Sequence, residues 1–204
     1  MNASHPAQTP HDPHQRCLQQ FATYLRESAL ILAGWDAYSD EHTGDDGWPH
    51  DTQAYGLRAA VRDADTWRAF NRVRYGATDL LDTAEAQLRQ LDDKVVQQHR
   101  AWRVQLRALR VAVNRLNALQ SEWLNARATL PDTVRPGTKA YADITDDRNA
   151  EAWHYLNEWS VHGHVLVDIN TAALEQARTL HTGTVGSNTS AAPHNPAATR
   201  RGRS

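Results

Sequence analysis

The residues best equipped for chemistry gather late in the chain. Arg148, Asn149, Glu151, His154, Glu158 and His162 combine a phosphate-binding cation, proton-transfer groups and possible metal ligands within fifteen positions. Glu151 and His154 have the E-x-x-H spacing with which helical bundles hold paired iron ions. On a helix, Glu151, His154, Glu158 and His162 fall in a wedge of about 80°. Such centres need a second E-x-x-H on another helix, and this sequence has none. Glu and His four apart more commonly form a surface pair worth a few tenths of a kcal/mol. The expectation is therefore no metal and no cofactor.

Arg148, the small polar Asn149 and then His154 near the start of a late helix resemble the motif of the HEPN ribonuclease superfamily. The resemblance covers seven residues of 204. It implies an all-α bundle that dimerises and cleaves RNA without a metal, with His154 handling protons and Arg148 stabilising phosphate charge.

Other chemistry is thin. Cys17, beside Leu18 and Phe21, reads as a small buried residue, and as a single thiol it cannot form an internal disulfide. The carboxylates between Asp40 and Asp51 lack the order of a calcium loop and read as a solvated acidic loop. No glycine-rich phosphate loop, nucleophile elbow or H-E-x-x-H occurs. Arg100, Arg103, Arg107 and Arg110 stand at three-and-four spacing, suited to following a phosphate backbone, which makes nucleic acid a secondary candidate partner. Charged outer faces also keep long helices soluble.

The net charge of −2 conceals a segregation. Asp36 to Asp65 carries −6 and Lys94 to Leu130 carries +6, so the two segments either pair with each other or steer partners. There are seven tryptophans; Trp48, in a loop beside Pro49, has no evident internal partner and is a candidate contact.

The elements that must position these groups are helical. Asp12 and Pro13 open a first helix over 13–38, with Leu18, Phe21, Leu25, Leu32 and Trp35 on one face. A loop covers 39–51, and a short helix is predicted over 52–62. From 66 to 130 there is no proline, and one heptad position reads Leu81, Leu88, Val95, Trp102, Leu109, Leu116, Trp123, Leu130. That pattern predicts a single rod of about 100 Å. A break near Leu91–Lys94 would make it a hairpin, although no turn residue demands one there. The last helix is predicted over 146–181, capped from Thr145–Asp147. Residues 1–12 and the basic-ended 182–204 read as disordered tails.

The sequence thus predicts an all-α, elongated antiparallel bundle over 13–181, built on one heptad-patterned helix. Its seam (Leu81, Leu88, Val95, Trp102, Leu109, Leu116 and Trp123), with Trp48, is the expected interface. The leading functional expectation is a non-catalytic helical scaffold that oligomerises or docks partner helices; the alternative is a HEPN-like RNA-cleaving or RNA-binding protein using Arg148 and His154. The expected partner is protein, either self or a foreign helix, with no membrane contact. No stretch is apolar enough to span a bilayer and no secretory leader is visible, so the expected location is cytoplasmic.

Overall fold

The structure, a computed structural model, describes residues 13–185. It is an all-α bundle: α1 Pro13–His42, α2 Thr52–Asn71, α3 Arg74–Gln90, α4 Asp93–Gln98, α5 Ala101–Ala128, α6 Lys139–His162 and α7 His164–Val185. No helix among the described residues is long and apolar enough to cross a membrane. The expected tails at 1–12 and beyond Val185 lie outside the described residues, while α7 itself runs into the stretch read as a tail from 182.

The expected rod over 66–130 does not exist. The chain leaves α2 at Arg72–Val73, and Leu91 turns to extended backbone (φ −70°, ψ 149°). After α4 it bends again at His99–Arg100 before α5. The cause at the central break is tertiary. The Gln176 side chain on α7 donates to the Gln90 carbonyl and accepts from the Asp92 N–H, both at 2.9 Å. Backbone groups orphaned by the break are satisfied from another helix, so no local turn residue is needed. The heptad stripe crosses the break because α3 and α5 each bury one apolar face, and they pack on one another.

Helix limits shift elsewhere for legible reasons. Asp51 accepts from the Gln53 and Ala54 N–H groups and caps α2, which extends to Asn71 rather than ending at 62. Thr138, not the Thr145–Asp147 cluster, caps α6. The expected helix 146–181 is two helices meeting at Gly163. A Cβ there would lie 2.8 Å from Phe21 Cζ and 2.9 Å from Leu25 Cδ2, so only glycine lets α1 approach this closely. The centre of the core is aromatic: Phe21 and Tyr24 from α1, Phe70 from α2 and Trp159 from α6 lie with ring centroids 5.2–5.7 Å apart.

The two halves of the chain repeat one another. Thr52, Ala54, Tyr55, Arg62, Asp63, Ala64, Asp65, Trp67 and Asn71 on α2 match Thr138 at the cap of α6 and Ala140, Tyr141, Arg148, Asn149, Ala150, Glu151, Trp153 and Asn157 within it, each 86 positions later (62 to 148). At a spacing of 88 (18 to 106), Leu18, Phe21, Ser28 and Trp35 on α1 match Leu106, Leu109, Leu116 and Trp123 on α5. The first three of each set are buried. At the same spacing Leu81-Asp-Thr-Ala84 on α3 matches Ile169-Asn-Thr-Ala172 on α7. Packing follows the exchange: α2 lies on α6, α3 lies on α7, and α1 meets α2 as α5 meets α6.

Candidate protein-docking face

Two arginines are caged at the α2–α6 contact. The Arg62 guanidinium lies 4.2 Å from the Trp35 ring centroid and 3.7 Å from that of Trp153. It pairs with Asp63 at 2.6 Å, and both side chains are nearly buried. Burial holds the Asp63 carboxyl above its ordinary range, against the pull of Arg62. Arg148 lies 4.3 Å from the Trp67 centroid and 4.7 Å from that of Trp123. It donates to Asn149 Oδ1 at 2.8 Å and to Gln120 Oε1 at 3.2 Å. Burial draws its guanidinium down to about 10, which leaves it cationic at neutral pH. These side chains clamp helices together.

His154 is directed elsewhere. Six residues along α6 turn it about 120° from Arg148. It is exposed, with its ring beside Tyr155 at 5.4 Å between centroids. The structure therefore does not bring Arg148 and His154 into one site. The E-x-x-H stripe is likewise divided among surface pairs: Glu151 with Arg115, and Glu158 with His162 at 3.6 Å. No cluster of three metal-ligating side chains occurs among the described residues. Cys17 is half-buried against Gly76.

The face that remains unaccounted for runs along α5. Between α3 and α5 lies a groove of about 450 Å³, with Leu88 and Leu106 beneath and Arg89, Arg103, Arg107 and Arg110 around it. Arg110 is committed to Asp82 (2.6 Å) and Glu85 (3.0 Å). Arg89, Arg103 and Arg107 have no ion-pair partner among the described residues. A second groove of about 340 Å³, between α5 and α6, shares Arg107 and Val111 and adds Val104, Ala108, His154, Tyr155 and Glu158. Val104, Arg107, Ala108 and Val111 stand at i, i+3, i+4 and i+7, a second stripe on α5 beside the buried one. Val104 is 70% exposed and Val111 59%.

The repeat supplies an internal reference for this face. The counterparts of Arg103, Arg107 and Arg110 on α1 are Gln15, Gln19 and Ala22, and that of Arg89 on α7 is Ala177. The same three-helix unit folds with neutral residues at these positions, so the fold does not require the arginines.

Of the four arginines expected to form a stripe, Arg103, Arg107 and Arg110 share the groove, whereas Arg100 stands exposed at the start of α5. Arg89 was not legible as a member, because it joins from α3 only through the hairpin. The expected interface seam is core: Leu81, Leu88, Trp102, Leu109 and Leu116 are buried within this chain. Val95 and Trp123 are half-buried. Only Trp48 stands out, 74% exposed. The acidic segment does not neutralise the basic one: Asp36, Asp40, Glu41 and Asp45 make no ion pair among the described residues. The arginine cages and the second α5 stripe also escaped the sequence reading; the repeated R-[D/N]-A-[D/E]-x-W was the signal for the cages. No family model, curated protein or solved structure matches this chain.

Proposed function

We propose that the protein is a non-catalytic helical interaction module that docks an acidic protein segment carrying apolar side chains across α3, α5 and α6. The observation that carries this reading is the joint presence of an exposed Val104–Val111 stripe and three uncommitted arginines whose counterparts in the other half, Gln15, Gln19 and Ala177, are neutral. Exposed apolar side chains rimmed by polar groups suit a protein partner, because their burial contributes about 25 cal/mol per Å². The arginines would select a partner by charge and quicken its encounter. A phosphate backbone would satisfy the arginines but would leave Val104 and Val111 uncovered.

A labelled amphipathic peptide of Glu and Leu, titrated by fluorescence anisotropy beside a labelled single-stranded RNA, tests the reading. The peptide is expected to bind, weaken with salt, and lose about tenfold or more in affinity to Arg103→Glu/Arg107→Glu. Absence of peptide binding, or RNA binding that depends on the same two arginines, overturns it.

A further inference from the structure

The loop between α1 and α2 is built to display a side chain. Gly44 N–H donates to the Trp48 carbonyl, Gly47 N–H to the Gly44 carbonyl, and His50 N–H to the His42 carbonyl, each at 2.9 Å. Asp46 Oδ1 accepts from the Trp48 N–H at 3.1 Å. Gly47 takes φ +79°, the left-handed region that glycine enters without strain. Every one of these bonds uses backbone or Asp46, so the Trp48 indole is held outward by a closed turn and contributes nothing to its closure. The same stretch of chain carries Asp40, Glu41, Asp45, Asp46 and Asp51, none with a cationic partner among the described residues.

We infer that the segment docked in the α3–α5 groove is the Trp48 turn of a second copy of this chain, an inference that rests on the docking reading above. The complementarity is of charge and of polarity. The turn offers an exposed indole on a segment rich in carboxylates. The groove offers Leu88, Leu106 and Val111 with the uncommitted Arg89, Arg103 and Arg107 about them, and the Glu85 that also lines it is paired with Arg110. The pairing of indole with guanidinium is one this molecule already uses in both cages. Asp63, Asp65, Arg110 and Arg115 are paired within their own neighbourhoods, and among the described residues no ion pair joins the turn's Asp40, Glu41 and Asp45 to the groove's Arg103 and Arg107, so these charges are left for a second chain to match. Knob and groove are different surfaces, so a single contact is heterologous, and a reciprocal pair of contacts closes a dimer.

Sedimentation of the full chain at low and high salt tests this. Wild type is expected to associate at low salt and dissociate at high salt. Trp48→Ala, which keeps the groove, and Arg103→Glu/Arg107→Glu, which keeps the knob, are each expected to be monomeric. Mixed together, they are expected to form a one-to-one complex through their single intact contact. A monomeric wild type, an undiminished Trp48→Ala dimer, or a mixture that stays monomeric overturns the inference. Binding of the Glu/Leu peptide to Trp48→Ala separates the two readings: if the peptide binds while wild type stays monomeric, self-association falls and docking stands.

Discussion

Arg62 and Arg148 are counterparts across the α2–α6 contact. Each guanidinium lies against the tryptophan that follows the other arginine by five positions: Arg62 against Trp153, Arg148 against Trp67. A second ring closes each cage, Trp35 for Arg62 and Trp123 for Arg148, and those two residues are themselves equivalent in α1 and α5. The contact is an antiparallel exchange of identical side chains between two copies of one helix, fused in a single polypeptide.

Such a cage needs a flat cation. Lysine keeps the charge but presents a compact ammonium that cannot stack on two rings. Arg148→Lys and Arg62→Lys are each expected to cost about 1–2 kcal/mol in denaturant unfolding, on the scale of a desolvated cation–π contact. No loss on either substitution would show that the rings, not the guanidinium, hold α2 to α6.

The repeat also supplies a ready-made variant. Asn149 occupies in the second half the place of Asp63 in the first, and it satisfies Arg148 without a charge. Burial raises the Asp63 pKa, so this carboxyl contributes stability at pH below its unfolded value and loses it as pH climbs through the folded value. Asp63→Asn removes that loss. Urea midpoints should therefore place the variant higher relative to wild type at neutral pH than at acid pH. The opposite trend would mean that the charge pair with Arg62 outweighs burial.

Glycines divide by what surrounds them. At Gly163 a Cβ would meet Trp159 O at 2.4 Å as well as Phe21 and Leu25, whereas at Gly56, within α2, nothing lies within 4 Å. Gly163→Ala is expected to destabilise by about 1–3 kcal/mol as an overpacked junction. Gly56→Ala is expected to stabilise by about 0.5–1 kcal/mol through helix propensity. Thermal melts of the pair decide the point, and equal shifts would deny that α1 presses on the α6–α7 joint.

Much of this architecture is legible in the amino-acid order, though unevenly. The apolar rhythm correctly marks Leu18, Phe21, Leu81, Leu88, Leu109 and Leu116 as inward-facing, and α2 begins at Thr52 where expected. The division of the supposed rod is not legible, because its decisive bonds come from Gln176, 84 positions beyond Asp92. A heptad counts spacing along one helix and cannot distinguish a straight stripe from two stripes folded face to face. For the same reason the arginines at 103, 107 and 110 read as one outer stripe, while Arg89 joins them only once α3 turns back on α5. Arg148 and His154 sit near each other in sequence, yet the turn of α6 sends one into a tryptophan cage and the other to the surface. Proximity along a helix carries no promise of a shared site.

The neutral residues at the matching positions of the repeat prescribe the most direct test of the docking face. Replacing Arg89, Arg103 and Arg107 by the residues their counterparts carry gives Arg89→Ala/Arg103→Gln/Arg107→Gln. All three side chains are exposed and without ion pairs among the described residues, so unfolding free energy should stay within about 0.5 kcal/mol of wild type. Binding of the acidic Glu/Leu peptide, measured by anisotropy on the same preparation, should weaken about tenfold. A variant that binds the peptide as wild type does, or one that loses its stability along with its binding, would contradict a functional role for these arginines.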